Sequence, residues 1–365
     1  MTSSGLQSLR IGLIGPLPPP SGGMANQTRQ LGELLVAAGA QVTTVQVNAP
    51  YRPAWIGQVP LVRSLFRLLP YLSALWRAAG QSDVFHIMAN SGWSWHLFAA
   101  PAVWVARCRG VTVVVNYRGG EAAEFLQRSA GLVRFTMRRV TALVVPSGFL
   151  QGVFRHFGMP AEIVPNIIDL SRFLPREAVR GGAAHLVVAR NLEALYDNET
   201  AIRAFEIVQK QFPHARLTLA GSGPQEPYLR ELVRTRGLTD AVRFTGRLER
   251  DAMAALYRSA DLMLNPSLAD NTPNSVLEAW ASGVPVVSTN VGGIPHLAQD
   301  GVTASLVPPS NPVAMAQACV ALLSDETLWR QRAQAGLREA QRYTWSCVRP
   351  VLANIYQQAR PQPAP

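Results

Sequence analysis

Along almost the whole chain, short runs of β-branched and aliphatic residues alternate with longer segments of helical period, and this alternation limits the fold more than any other feature. Apolar runs stand at 9–14, 42–47, 84–87, 111–115 and 142–145 in the first half and at 185–189, 217–220, 242–245, 262–265 and 286–288 in the second. Helix-period segments such as 25–38, 130–140, 200–211, 228–236, 251–259 and 275–282 lie between them. Apolar strands separated by helices form a parallel sheet covered on both faces. The pattern runs twice, with a break over 166–184 marked by Pro175, Gly181 and Gly182. A chain of 365 residues also exceeds one ordinary core. The expectation is therefore α/β, with two Rossmann-like doubly wound domains facing across a cleft. The first spans 1–170, a linker 171–184 and the second domain 185–342. A C-terminal helix over 343–360 packs back on the first domain, and a proline-rich disordered tail fills 361–365. Ligands of such sheets sit beyond the carboxyl ends of the strands.

The net charge is +11, carried almost entirely by arginine; Lys210 is the only lysine. Between residues 51 and 140, eleven arginines stand against three acids, Asp83, Glu121 and Glu124. A basic first half suits nucleic acid, a membrane surface or a phosphorylated substrate. No helix-turn-helix, zinc or aromatic-basic RNA pattern accompanies the charge, which argues against nucleic acid. Cys108, Cys319 and Cys347 are scattered, with neither disulfide-framework nor zinc spacing, and fit a reducing compartment. Residues 1–10 lack the charged start and apolar core of a signal peptide, so the expected location is the cytoplasm. The stretch 84–106 carries no Asp, Glu, Lys or Arg, but His86, Asn90, Ser91, Gly92 and His96 interrupt it. A strand, a loop and a buried helix are expected there, not a membrane span. Leu61, Leu65, Leu68, Leu69, Leu72, Leu75 and Trp76 form a helical stripe beside Arg63, Arg67 and Arg77, with Arg52 and Trp55 upstream. It reads either as an amphipathic surface that docks peripherally on the anionic inner face of a membrane, or as a core helix kinked by Pro70.

The chemistry concentrates in residues 265–295, NPSLADNTPNSVLEAWASGVPVVSTNVGGIP. A strand ends near Asn265, and Thr272 as N-cap with Pro273 at the first helical position then opens a helix. The free amides of Asn274, Ser275 and Val276 suit phosphate or sugar oxygens. Glu278 follows Asn274 by one turn on the same face. Its carboxylate can accept from two vicinal hydroxyls, such as those of a ribose, and Asp270 can accept from sugar hydroxyls. Glu278 also reads as an ordinary first-turn acid favoured by the helix dipole. Arg190 ends a strand, where a guanidinium can clamp a diphosphate. Gly22 and Gly23 close the small-residue loop 15–23, where backbone can approach a ligand closely.

This segment, with Asp270 and Glu278, Gly283 to Val287, and Gly292 and Gly293, resembles the Glu-x7-Glu region of family 4 of the retaining glycosyltransferases, which have the GT-B fold. Residues 164–173 (VPNIIDLSRF) resemble the family's junction between domains, 220–224 (AGSGP) its second glycine loop, and 243–247 (RFTGR) the wall of its nucleotide base. The resemblance spans almost the whole chain. It implies that Glu278 holds the nucleotide ribose. Asp270 and the amides of Asn274, Ser275 and Val276 hold the transferred sugar, and Arg190 holds the diphosphate. Gly22, Gly23, Gly221, Thr245 and Gly246 complete the donor site, and Gly23 and Arg118 lie on the acceptor side. Three positions depart from the family. Asp270 stands where Glu is usual and has a shorter reach. The Lys that follows the family's arginine is missing from 190–198 (RNLEALYDN), so another arginine such as Arg247, or helix N-termini, must supply that charge. Arg118 stands where many relatives have a His; it can meet a phosphate on donor or acceptor, or be a solvated loop arginine. His86 and His96 read as structural.

The resemblance implies a retaining, metal-independent hexosyltransferase of surface polysaccharide biosynthesis. It would move a hexose or N-acetylhexosamine from a nucleoside-diphosphate sugar, a co-substrate, to a glycan or polyprenyl-linked acceptor, with no cofactor and an α-linked product. The sequence has no Asp-x-Asp motif for a divalent metal. Two rivals are a nucleotide-sugar epimerase of GT-B shape, whose acid–base residues are not identifiable here, and a catalytically degenerate nucleotide-sugar-binding subunit, prompted by the missing Lys.

Overall fold

The computed structural model describes residues 6–19, 22–50, 60–175 and 182–358, with the backbone alone at 60–65. Arg52, Trp55, Gly181 with the rest of 176–181 in the expected linker, and the tail 361–365 lie outside the described residues, as do the side chains of Leu61, Arg63 and Leu65. The chain forms two compact units, residues 1–167 with 348–365, and residues 168–347.

The first unit runs β1 (Arg10–Gly15), α1 (Gly23–Ala37), β2 (Gln41–Gln46), α2 (Pro60–Ala79), β3 (Val84–Ala89), α3 (Ala100–Cys108), β4 (Thr112–Tyr117), α4 (Ala122–Met137), β5 (Ala142–Val145), α5 (Gly148–His156) and β6 (Glu162–Ile163). Its sheet has the order β2-β1-β3-β4-β5-β6, with every pair parallel. Parallel neighbours need a crossover between them, and a helix supplies each one. β3 and β4 are buried at every position, as strands covered on both faces must be. Tyr71 and Leu75 of α2, Val103 of α3, Leu126 of α4 and Phe154 of α5 join Phe85 and Val115 in one core. The stretch 84–106 is β3, a π-helical turn Trp95–Ala99 and α3, as expected. Among the described residues no helix is long and apolar enough to cross a membrane.

α2 continues through Pro70. Tyr71, Leu75, Ala78 and Ala79 are buried, while Phe66, Leu69, Leu72 and Trp76 form a second, exposed stripe at steps of three and four. The stripe read from the sequence is therefore split: Leu75 lies in the core, whereas Leu69, Leu72 and Trp76 are exposed, joined by Phe66.

The second unit runs β7 (His185–Val188), α6 (Asn198–Gln211), β8 (Arg216–Ala220), α7 (Glu226–Thr235), β9 (Val242–Gly246), α8 (Arg250–Ser259), β10 (Leu262–Asn265), α9 (Asn274–Ala281), β11 (Val286–Thr289), α10 (Ile294–Leu297), β12 (Ser305–Val307), α11 (Pro312–Ser324) and α12 (Glu326–Ala340). The final helix, α13 (Trp345–Gln358), starts in this unit and from Val348 belongs to the first, where Val348, Leu352, Ile355 and Tyr356 are buried. The sheet order is β12-β11-β10-β7-β8-β9, again wholly parallel. The chain lays down β7, β8 and β9 outward in one direction, then returns to place β10 on the other side of β7. β7 and β10 therefore flank a topological switch point, where the two outgoing loops diverge and leave a crevice.

β6 and β12 span two and three residues, too short for a period to show in sequence. α11 also escaped notice, because its sequence PVAMAQACVALLS is apolar on most sides and offers no stripe.

Candidate active site

The two loops at the switch point of the second unit carry opposite charges. Arg190 follows β7, and Asp270 lies in the loop after β10. The guanidinium donates to the Asp270 carboxylate, to Ser267 Oγ at 3.0 Å and to Ser275 Oγ of α9 at 3.5 Å. Its face lies 4.3 Å from the ring centroid of Tyr196. The Arg190 and Asp270 side chains are each only 11% exposed. A forked cation this desolvated binds oxyanions strongly. Ser267 is itself fixed. Its hydroxyl donates to Asn265 Oδ1 at 3.2 Å, Asn265 Nδ2 donates to Ser288 Oγ at 3.0 Å, and Thr289 Oγ1 donates to the Ser267 carbonyl at 2.6 Å. This buried ladder pins the end of β10 and, through it, the Arg190 fork.

Two glycines allow the loops to approach. A Cβ at Gly221 would lie 1.9 Å from the Arg190 carbonyl oxygen. At Gly292, where φ is +51°, it would lie 2.2 Å from the Asp270 carbonyl oxygen. Only glycine fits against backbone at such distances. The glycine loops after β8 and β11 thus hold Arg190 and Asp270 from behind, through main-chain contact.

α9 begins one residue later than the sequence indicated. Pro273, not Thr272, occupies the cap position, and no side chain caps the helix. The Val276 amide is already engaged, donating to the Pro273 carbonyl at 3.2 Å. Of the three amides expected at the site, Asn274 and Ser275 are the two that precede the first closed turn. Glu278 stands one turn on and is half-buried as a residue, with its carboxyl surrounded by protein. Burial pushes its pKa up to about 7, while a hydrogen bond from Tyr257 and the charge of Arg250 pull it down. Tyr257 also reaches the Ser275 carbonyl at 3.1 Å, which ties Glu278 to the helix start.

Thr245 and Gly246 end the edge strand β9, two strands from β7. The Thr245 hydroxyl is turned to the carbonyls of Gly246 at 3.0 Å and Leu219 at 3.5 Å. Arg247 is exposed just beyond.

In the first unit, Gly22 is the N-cap of α1 and Gly23 its first residue. A Cβ at Gly22 would meet nothing within 4 Å, so packing does not demand glycine there. Arg118 follows β4. Its Nε donates to Asn116 Oδ1 at 3.1 Å and its Nη1 to Asn166 Oδ1. Asn116 Nδ2 lies 3.1 Å from His86 Nε2, and His86 Nδ1 lies 2.8 Å from the Tyr356 hydroxyl on α13. The directions follow in order. The Asn116 amide must donate, so Nε2 accepts and Nδ1 bears the proton given to Tyr356. Burial, then the Arg118 charge, drive the His86 pKa down to about 3, so this histidine is neutral and structural. His96 packs edge-on against Trp93 and Phe125.

Sequence reasoning missed Ser267, Asn265, Tyr196 and Tyr257. The first two lie inside the segment it singled out, but only their contacts reveal a role. Tyr196 lies within 190–198, read there for its missing Lys, and stacks on the arginine instead. Among the described residues no three His, Cys, Asp or Glu side chains gather as metal ligands.

Two wholly parallel six-stranded sheets with interleaved helices give the chain a fold of the GT-B class. Residues 21–172 match the model described as Glycosyltransferase Family 4, and residues 182–325 match Glycosyl transferases group 1. The chain belongs to this glycosyltransferase family. It is 26% identical over 372 residues to a phosphatidyl-myo-inositol mannosyltransferase of Mycobacterium leprae, covering 96% of each chain. It is 28% identical over 314 residues to a D-inositol 3-phosphate glycosyltransferase of Salinispora tropica, covering 78% of this chain and 65% of that one. Among solved structures it superposes on sucrose-phosphate synthase from Thermosynechococcus elongatus with a TM-score of 0.78 at 20% identity, over 96% and 98% of the two chains. On Anabaena HepE in complex with UDP and glucose the TM-score is 0.73 at 18% identity, over 95% and 99%.

Proposed function

We propose that the chain transfers a hexose or N-acetylhexosamine from a nucleoside-diphosphate sugar to a glycan or polyprenyl-linked acceptor, with retention of configuration, in surface polysaccharide biosynthesis. The observation that carries this reading is the Arg190–Asp270–Ser275 cluster at the switch point, with Glu278 one turn along α9. HepE, of the same fold, is in complex with UDP and glucose, which supports a nucleotide-sugar donor here. Arg190 would hold the diphosphate, with Asp270 orienting its fork. The Asn274 and Ser275 amides would face donor oxygens, and Glu278 would accept from the ribose hydroxyls.

In the reaction, the acceptor oxygen attacks the anomeric carbon on the face the diphosphate leaves. The new C–O bond forms as the old one breaks, and the hydroxyl proton passes to a departing phosphate oxygen. The leaving group's charge develops beside Arg190, a fixed cation already desolvated, which is where preorganised charge lowers a barrier most. With that cation in place no divalent metal is needed, and chelator should leave the rate unchanged. The test is calorimetric titration of UDP-, GDP- and ADP-sugars. One class should bind saturably and give an α-linked product. A folded protein that binds none would refute the donor reading, and one that binds a nucleotide-sugar without transferring it would be the degenerate subunit.

The same proposal places the enzyme at an anionic membrane surface. Phe66, Leu69, Leu72 and Trp76 of α2 and Leu132 and Phe135 of α4 are exposed. Arg109 lies 4.8 Å from the Trp76 ring centroid, and Arg139 lies 4.2 Å from each of Trp104 and Phe135. α3 packs against both α2 and α4, so these groups share the outer side of one helical layer. Apolar rings interleaved with arginine match a lipid interface whose headgroups are anionic. The protein should float with vesicles rich in anionic lipid and not with neutral ones. Leu69→Ser/Trp76→Ser should lose flotation, and equal flotation of that variant would refute the surface.

A further inference from the structure

Arg118 is a desolvated cation held without a counter-charge. Its fixed partners, the Oδ1 atoms of Asn116 and Asn166, are neutral. Among the described residues no carboxylate pairs with it, and its Nη2 takes part in no hydrogen bond. Desolvation brings the guanidinium pKa down to about 10. The chain behind it is fully directed: Tyr356, His86 and Asn116 are each spent on a neighbour, so none can neutralise it. Beside Asn166 the backbone is held, because Gln27 of α1 donates to the Ile167 carbonyl at 3.1 Å and accepts from the Ile167 amide at 3.3 Å. Two amide oxygens therefore orient the guanidinium without compensating it. Burying a cation this way is costly unless an anion arrives. The loop is shaped for close approach as well. A Cβ at Gly119 would lie 2.5 Å from Asn90 Oδ1 and Ser91 Oγ, so the polar loop after β3 closes onto the loop that carries Arg118.

We infer that Arg118, aimed by Asn116 and Asn166, binds a phosphoryl group of the acceptor, which makes the acceptor a phosphate-bearing molecule. This rests on the donor reading proposed above and on the acceptor-side position that the family resemblance implies for Arg118. The donor's diphosphate already has Arg190 in the second unit, whereas Arg118 has no partner of opposite charge. A solvated loop arginine would not be locked by two asparagines and backed by a neutral histidine.

The test uses inorganic phosphate as the probe, followed by 31P line broadening, and UDP followed by calorimetry. Phosphate should bind saturably to the wild type and to Arg190→Gln. Affinity should fall about ten-fold or more in Arg118→Gln, the loss expected when a charge-assisted fork is removed. Arg118→Met, which removes the charge without adding an amide, should behave alike and serves if the first variant does not fold. UDP affinity should be unchanged in both. Phosphate that binds the Arg118 variants as it binds the wild type, or that fails to bind the wild type, overturns the assignment. A fall in UDP affinity equal to that of Arg190→Gln also overturns it, by giving the anion to the donor. Failure of UDP to bind the wild type would sink the donor reading alone, because the phosphate titration still decides Arg118.

Discussion

Replacing Arg190 by alanine is expected to lower kcat/KM by about 10³, the upper range for losing one preorganised donor to a developing oxyanion. Most of the loss should fall on kcat, because the leaving diphosphate gains charge only as the bond breaks. The same substitution also strips a buried carboxylate of its partner. Asp270 would keep the Asn271 amide at 3.0 Å and little else. An uncompensated buried charge costs about 3 kcal/mol or more, so the melting temperature should drop as well. The two effects separate in the double variant Arg190→Ala/Asp270→Asn, which removes both charges. Its stability should recover while its rate should not. A double variant that regained most of the activity would reduce Arg190 to a structural strut. Arg190→Lys keeps the charge but loses the fork, and should fall between.

Both sheets were legible because parallel strands buried on two faces leave unmistakable apolar runs, and most of the observed strands fall within a residue or two of those runs. The site was legible in outline for a related reason. Switch-point loops must follow particular strands, so Arg190, Asp270 and Glu278 could be named from position and from the resemblance. What escaped was everything that depends on two loops meeting. Gly221 reads in sequence as a glycine lining a donor, yet its need arises from the Arg190 carbonyl beside it. Thr272 looks like the better cap by residue type, but the loop geometry gives the position to Pro273 and closes the first turn at the Val276 amide. The Arg118 array joins residues 86, 116, 166 and 356, separated by long stretches of chain and brought together only by the parallel order of the strands and the return of α13. No local pattern encodes such a contact.

Glu278 should give the two halves of the enzyme's pH dependence opposite signs. Its pKa is raised from an ordinary 4.5 to about 7, chiefly by burial. The fold therefore prefers the protonated acid. This contribution to stability is complete below the unfolded pKa and is lost as pH rises through the folded one. By linkage the loss between about pH 4.5 and pH 7 is at most about 3 kcal/mol, and Glu278→Gln should flatten that slope. Donor binding runs the other way, because two ribose hydroxyls are donors and need the ionised carboxylate. Affinity should rise with pH and level off above 7, being about ten-fold weaker at pH 6 than on the plateau. Binding below the plateau must release a proton, which calorimetry detects as a heat that varies with the buffer. Glu278→Ala loses both hydrogen bonds to a charged group and should bind the donor about 100-fold or more below the wild-type plateau, with no pH dependence of its own in this range. If the wild-type donor affinity is flat between pH 6 and 8, Glu278 is not the ribose acceptor. Its raised pKa would then only record a carboxyl caught beneath Tyr257, and the donor would have to be oriented from Arg190 and the helix start alone.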